Sequence, residues 1–189
     1  MRLQAFLVAS VVLTGCAVAP GPSATAEDGS VDVAEMCSVV QCRFDVRIEM
    51  KQEDGTWFDK TFDALPVVQD AGVSIYSGTT VLFEADEVDG RLVNLRLVSE
   101  IADPERTISS RLEQDEKGHM LLVTTNPFSK HLRVRMGIMP LGLDRLVKTS
   151  SCPVIAGGSS YEMWPYPVFQ VYLADMRLID ETEEMSCVE

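Results

Sequence analysis

Five cysteines and two histidines are the residues of this 189-residue chain best suited to covalent or metal chemistry. Cys37 and Cys42 are close enough to form one side of a zinc site, but Cys152 and Cys187 do not make the second close pair of a four-thiolate centre. There is no Cys-x-x-Cys, and neither Cys152 nor Cys187 has the basic surroundings that lower a thiol pKa. With Cys16 set aside, the remaining four read as two disulfides. Of the three pairings, Cys37–Cys42 with Cys152–Cys187 is favoured. The first closes a small loop, and the second pins the acidic tail Glu181-Thr182-Glu183-Glu184 to the body. His119 follows the Lys117-Gly118 turn and His131 belongs to a basic run. No Gly-x-Ser-x-Gly, His-Glu-x-x-His, phosphate loop or dinucleotide fingerprint accompanies them. The expectation is a protein without catalytic residues, metal or cofactor; a hydrolase working through His119 or His131 is the alternative.

Two stretches point to binding. In Gly157-Gly158-Ser159-Ser160-Tyr161-Glu162-Met163-Trp164-Pro165-Tyr166-Pro167, aromatic side chains sit between glycines and prolines. That composition suits a recognition loop carried on a rigid scaffold, with Tyr161, Trp164 and Tyr166 as contacts. The bland alternative is that these aromatics plug the end of the domain. The second stretch is Lys130 to Arg135, where His131, Arg133 and Arg135 fall on one face of an extended segment. Such a stripe could receive an anionic partner, or it could pair with carboxylates on an adjacent strand. Glu84 and Asp86 also share a strand face, but no ligand-rich loop flanks them, and they read as a solvated strand end.

The first sixteen residues fix a different property. Arg2 is followed by an apolar run from Ala5 to Leu13 and then by Leu13-Thr14-Gly15-Cys16. The run is too short for a permanent membrane span and has the layout of a cleaved secretory signal. The segment resembles the signal peptide and lipobox of bacterial lipoproteins. The resemblance implies that Cys16 is acylated and becomes the mature N-terminus. Ala17, in place of an aspartate, implies sorting to the outer membrane, facing the periplasm. Lipoproteins of this kind carry two or three chains, enough for stable anchoring.

A formal net charge of −13 argues against a phosphate-backbone partner, because nucleic-acid-binding domains carry basic footprints. Loss of the residues before Cys16 removes a single charged residue, Arg2, and leaves the chain more acidic still. Residues 17–36, interrupted by Pro20, Gly21, Pro22, Ser23, Gly29 and Ser30, read as a flexible tether. At about 20 residues, it would have a typical reach of roughly 25 Å.

Residues 37–189 read as one β domain. Phe44, Val46, Ile48 and Met50 alternate with Arg43, Asp45, Arg47 and Glu49, and Asp54-Gly55 turns the chain into Thr56–Phe62, with Trp57 or Phe58 inward. Thr79–Val88, with Val81, Phe83 and Ala85 inward, meets Asp89-Gly90 and then Arg91–Ser99, with Val93, Leu95 and Leu97 on one face. A hairpin follows around Glu116-Lys117-Gly118, then a strand with Leu132, Val134, Met136 and Ile138 inward. The last strand opens with Phe169, Val171 and Leu173 and runs to about Ile179. Half-wet strands and frequent turns imply an antiparallel β-sandwich, immunoglobulin-like or a similar Greek key. The combined expectation is a lipid-anchored, noncatalytic binding or adaptor module with a protein partner in the envelope. The alternative is an accessory of an envelope assembly or secretion machine.

Overall fold

A computed structural model of the protein describes residues 33–180 and 185–187. Cys16, the first sixteen residues of the expected tether (17–32) and the acidic tail 181–184 lie outside the described residues. A short helix, α1 (Val33–Val39), precedes β1 (Gln41–Lys51), β2 (Trp57–Gln69), β3 (Gly72–Tyr76), β4 (Thr79–Val88), β5 (Arg91–Val98) and β6 (Ile108–Gln114). β7 (Met120–Thr125), β8 (His131–Pro140), β9 (Val147–Thr149), β10 (Ser159–Trp164) and β11 (Val168–Ile179) complete the chain. The last four residues read as tether, 33–36, are therefore helical.

Every strand pairing is antiparallel, as the half-wet alternation implies. One layer runs β1-β2-β3-β11-β8-β9 and the other β5-β4-β6-β7-β10. Among the described residues a single strand bridge, Arg177↔Arg91 between β11 and β5, joins the two layers. Side chains of β1 and β6 add to this link. The Gln41 amide donates to the Leu95 carbonyl and accepts from the Leu97 N–H, taking the place of a missing strand neighbour along β5. The Gln114 amide does the same for both main-chain groups of Lys51, and Arg43 donates to the Thr80 carbonyl.

One hydrophobic cluster fills the interior. It takes Ile48, Val73, Ile75, Leu132, Ile138, Val171 and Leu173 from one layer and Val81, Phe83, Ile108, Leu112, Met120 and Leu122 from the other. The buried polar side chains Ser110 and Thr124, and Gln170 and Ser74, are paired with each other at 3.1 and 2.8 Å. At Gly72 a Cβ would collide with the Leu173 carbonyl, so only glycine admits the close approach of β3 to β11.

Two expectations about facing are corrected, and a third, Trp57 or Phe58 inward, is resolved in favour of Phe58. Phe44, expected inward, is 62% exposed; Asp45 beside it adopts a left-handed φ of 53°, and burial begins only further along at Ile48. In β5 the buried side chain is Leu92 rather than Val93. A bulge between Glu84/Asp86 and Arg96/Val93, with Asn94 at φ 51°, shifts the register and flips the alternation. Trp57 is exposed, and Phe58 packs against the core. The Asp89-Gly90 turn has left-handed φ at both residues, the type I′ signature. Both favoured disulfides, Cys37–Cys42 and Cys152–Cys187, are present.

Candidate functional site

The stretch expected to be a recognition loop is largely a strand. Ser159–Trp164 forms β10, which pairs with β7 and ends its layer. Its alternation sends Tyr161 and Met163 outward, 68% and 65% exposed, and Trp164 inward, 6% exposed. Trp164 is thus a core residue rather than a contact, with its indole N–H directed at Thr149 Oγ1 at 3.4 Å. Glu162 accepts the Cys152 N–H at 3.2 Å. Gly157 and Gly158 make the turn into β10, and the Gly158 carbonyl accepts from the Asn126 N–H. Asn126, fully buried, uses its side-chain amide to hold the carbonyls of Lys130 and Ile155.

Register defines the outer face of this layer. Tyr161 lies opposite Val123 and Met163 opposite Leu121; across β7 the next neighbours are Arg111 and Glu113, which pair with each other at 2.9 Å. Directly opposed residues share a sheet face, so Tyr161, Met163, Leu121 and Val123 form one apolar surface beside a strand edge. Sequence reasoning found Tyr161 but missed Met163, Leu121 and Val123, whose grouping depends on the pairing of β10 with β7.

Tyr166 lies at the other end of β10, in a cleft of about 410 Å³ with Gln52, Asp54, Phe58, Leu141 and Pro167. A neighbouring cleft of about 440 Å³ shares Gln52, Glu53, Asp54 and Pro167 and reaches His119. His119 Nδ1 is 3.1 Å from Asp115 Oδ2, an arrangement that could orient a base. The described residues lining that cleft include no serine, threonine or cysteine.

The basic stripe is placed as expected along β8, and cross-strand pairing accounts for much of it. Arg135 Nε meets Asp175 at 3.4 Å, and Lys130 meets Asp180 at 3.4 Å. His131 accepts the Ala156 N–H through Nδ1 at 3.0 Å, which fixes its tautomer. Register adds two residues that sequence reasoning missed. Arg133 lies opposite Arg177 of β11, and Arg177 lies opposite Arg91 of β5. Three arginines from segments far apart in sequence therefore stand side by side. Asp175, at φ 46° in a bulge of β11, reaches Arg91 at 2.9 Å as well as Arg135. No local sequence pattern carries this row, because it exists only once three strands are aligned.

Glu84 and Asp86 are not a free carboxylate pair. Asp86 receives Asn94 at 3.0 Å, Arg96 at 3.1 Å and Arg106 at 3.2 Å, and these hydrogen bonds and charges hold its carboxyl below the usual aspartate range. The cluster clamps the β5 bulge. Among the described residues no group of three or more His, Cys, Asp or Glu side chains is placed to hold a metal ion. No protein-family model matches the chain, and neither does any curated protein or solved structure.

Proposed function

We propose that the protein is a lipid-anchored, noncatalytic adaptor of the bacterial cell envelope. In this reading Cys16 carries the lipid, the segment after it is the tether, and the outer face of β10 docks a protein partner in the periplasm. The observation that carries the reading is the exposure of Tyr161 and Met163 beside Leu121 and Val123 on a strand with one edge unpaired among the described residues. Such an edge has no proline or lysine within Ser159–Trp164 to block strand addition, and its one charge, Glu162, is engaged by the Cys152 N–H. The occupant that fits is an extended segment of another protein, pairing main chain to main chain and covering the two outward side chains. A second copy of the chain is disfavoured, because each carries a net charge of −13. Two disulfides support the exported half of the reading, since such bonds persist in oxidising compartments.

Two variants test the halves separately. Cys16→Ala abolishes incorporation of labelled palmitate and releases the protein from the membrane fraction. Tyr161→Asp with Met163→Asp leaves anchoring intact and abolishes partner capture. Palmitate-free wild-type protein would sink the anchor, and unchanged capture by the double variant would sink the docking face.

A further inference from the structure

Four turns come together around Tyr166: residues 52–55 between β1 and β2, 117–119 between β6 and β7, 140–142 at the end of β8, and 165–167 before β11. They line the clefts of about 410 and 440 Å³, which are in the size range of small-ligand sites. Hydrogen bonds fix these walls to one another. The Gln114 amide holds the N–H and carbonyl of Lys51 and also donates to the Gly118 carbonyl at 3.1 Å, tying the first turn to the second. The Leu141 N–H donates to the Pro167 carbonyl at 3.0 Å, tying the third to the fourth. Asp54 is used within its own turn, where it accepts the Thr56 N–H and hydroxyl. The clefts are therefore preformed, and ordering them costs a ligand little.

The lining divides by chemistry. Phe58, Pro140, Leu141 and Tyr166 give the first cleft an apolar wall, whereas the second holds Lys51, Glu53, Lys117 and His119. Across the two, Lys51 and Lys117 balance Glu53 and Asp54, in a chain of net charge −13. A balanced lining selects neither an anion nor a cation. Hydrogen-bonding capacity is left over, since the Tyr166 hydroxyl, Gln52 Oε1 and His119 Nε2 make no hydrogen bond among the described residues. We propose that the paired clefts bind a neutral oligosaccharide, with one sugar ring stacked on Tyr166 and its neighbour in the polar cleft. A pyranose ring carries C–H groups that pack on the negative face of an aromatic ring, and hydroxyls around its rim that both donate and accept. A proline-rich segment would suit the apolar wall but leave Gln52, His119 and the lysines without partners. Neither cleft is lined by Tyr161 or Met163, so the proposal is independent of the β10 docking face.

The test is calorimetric titration of the purified full chain with the N-acetylglucosamine tetramer and with cellotetraose. Binding of at least one of these sugars is expected, little changed by added salt and weakened at least tenfold in Tyr166→Ala. Tyr166→Phe keeps the packed ring, and an expected loss of at least threefold reads the missing hydroxyl should the Ala variant not fold. Tyr161→Asp leaves the affinity unchanged. No binding of either sugar to wild type, or equal binding to the Tyr166 variants, overturns the proposal. So does a preference for decaproline over both sugars.

Discussion

The apolar face of β10 and the arginine row are both outward surfaces of the same sandwich, but they are assembled in opposite ways. The β10 face is centred on one contiguous segment, Ser159–Trp164, in which simple alternation sorts Trp164 into the core and Tyr161 and Met163 into solvent. The row draws Arg91, Arg133 and Arg177 from three strands and depends on two bulges to bring them level. Local pattern therefore decides what the first surface presents, while the second depends on non-local register. A one-residue slip would rearrange the row completely and leave the composition of β10 untouched.

The largest effect should come from the inward side of β10. Trp164→Ala is expected to cost about 3–5 kcal/mol in denaturant unfolding, because it empties a buried aromatic site. Tyr161→Ala should stay within about 0.5 kcal/mol in the same assay. Comparable losses at the two positions would erase the distinction between the faces.

A smaller effect tests the register beneath the row. Leu92→Ala should destabilise by about 2–3 kcal/mol, and Val93→Ala by less than about 1 kcal/mol, because the bulge at Asn94 turns Leu92 inward. The reverse order would restore simple alternation and misplace Arg91. The clamp on that bulge should also respond to acid. Hydrogen bonds from Asn94 and Arg96 depress the folded-state pKa of Asp86 below its unfolded value. Its contribution is therefore complete above the ordinary aspartate pKa and is lost as pH falls through the depressed one. In an NMR titration the Asn94 side-chain amide and the Asp86 carboxyl should change together below the usual aspartate midpoint. A midpoint at or above the ordinary value would contradict the clamp. The smallest effect is expected at the row itself. Arg177→Gln should leave stability unchanged or raise it by up to about 0.5 kcal/mol, through relief of like-charge opposition. A loss greater than about 1 kcal/mol would show that Arg177 is needed for the fold.

The parts of the fold readable in the sequence were those governed by neighbours in the chain. β4 and β8 alternate cleanly, and the Asp-Gly pairs mark the β1–β2 and β4–β5 hairpins. Cysteine parity and position pointed to the two observed disulfides. β3 was invisible because all five of its residues are buried, so it has no alternation to detect. Glycines before β10 and prolines after it give its six residues the look of a loop. Facing failed in β5, where Asn94 in left-handed geometry flips the pattern, and near Asp45 in β1, where the left-handed turn precedes the buried half of the strand. Of the candidate sites, Tyr161 and the β8 stripe were legible. For Trp164 the sequence leaves contact and plug both open, because aromatic content alone does not tell the two faces of a strand apart; its burial agrees with the plug. Arg91 and Arg177 carried no local signal.

Docking at the outer face of β10 is tested most directly by photo-crosslinking in native cells, with the reactive side chain placed in turn at residues 161, 163 and 101. Ile101 serves as control because it is exposed outside the named strands. The expected result is one common protein adduct at 161 and 163, absent at 101, that disappears from position 163 when Tyr161→Asp is added. Adducts of equal strength at all three positions, or none at 161 and 163, would contradict the account.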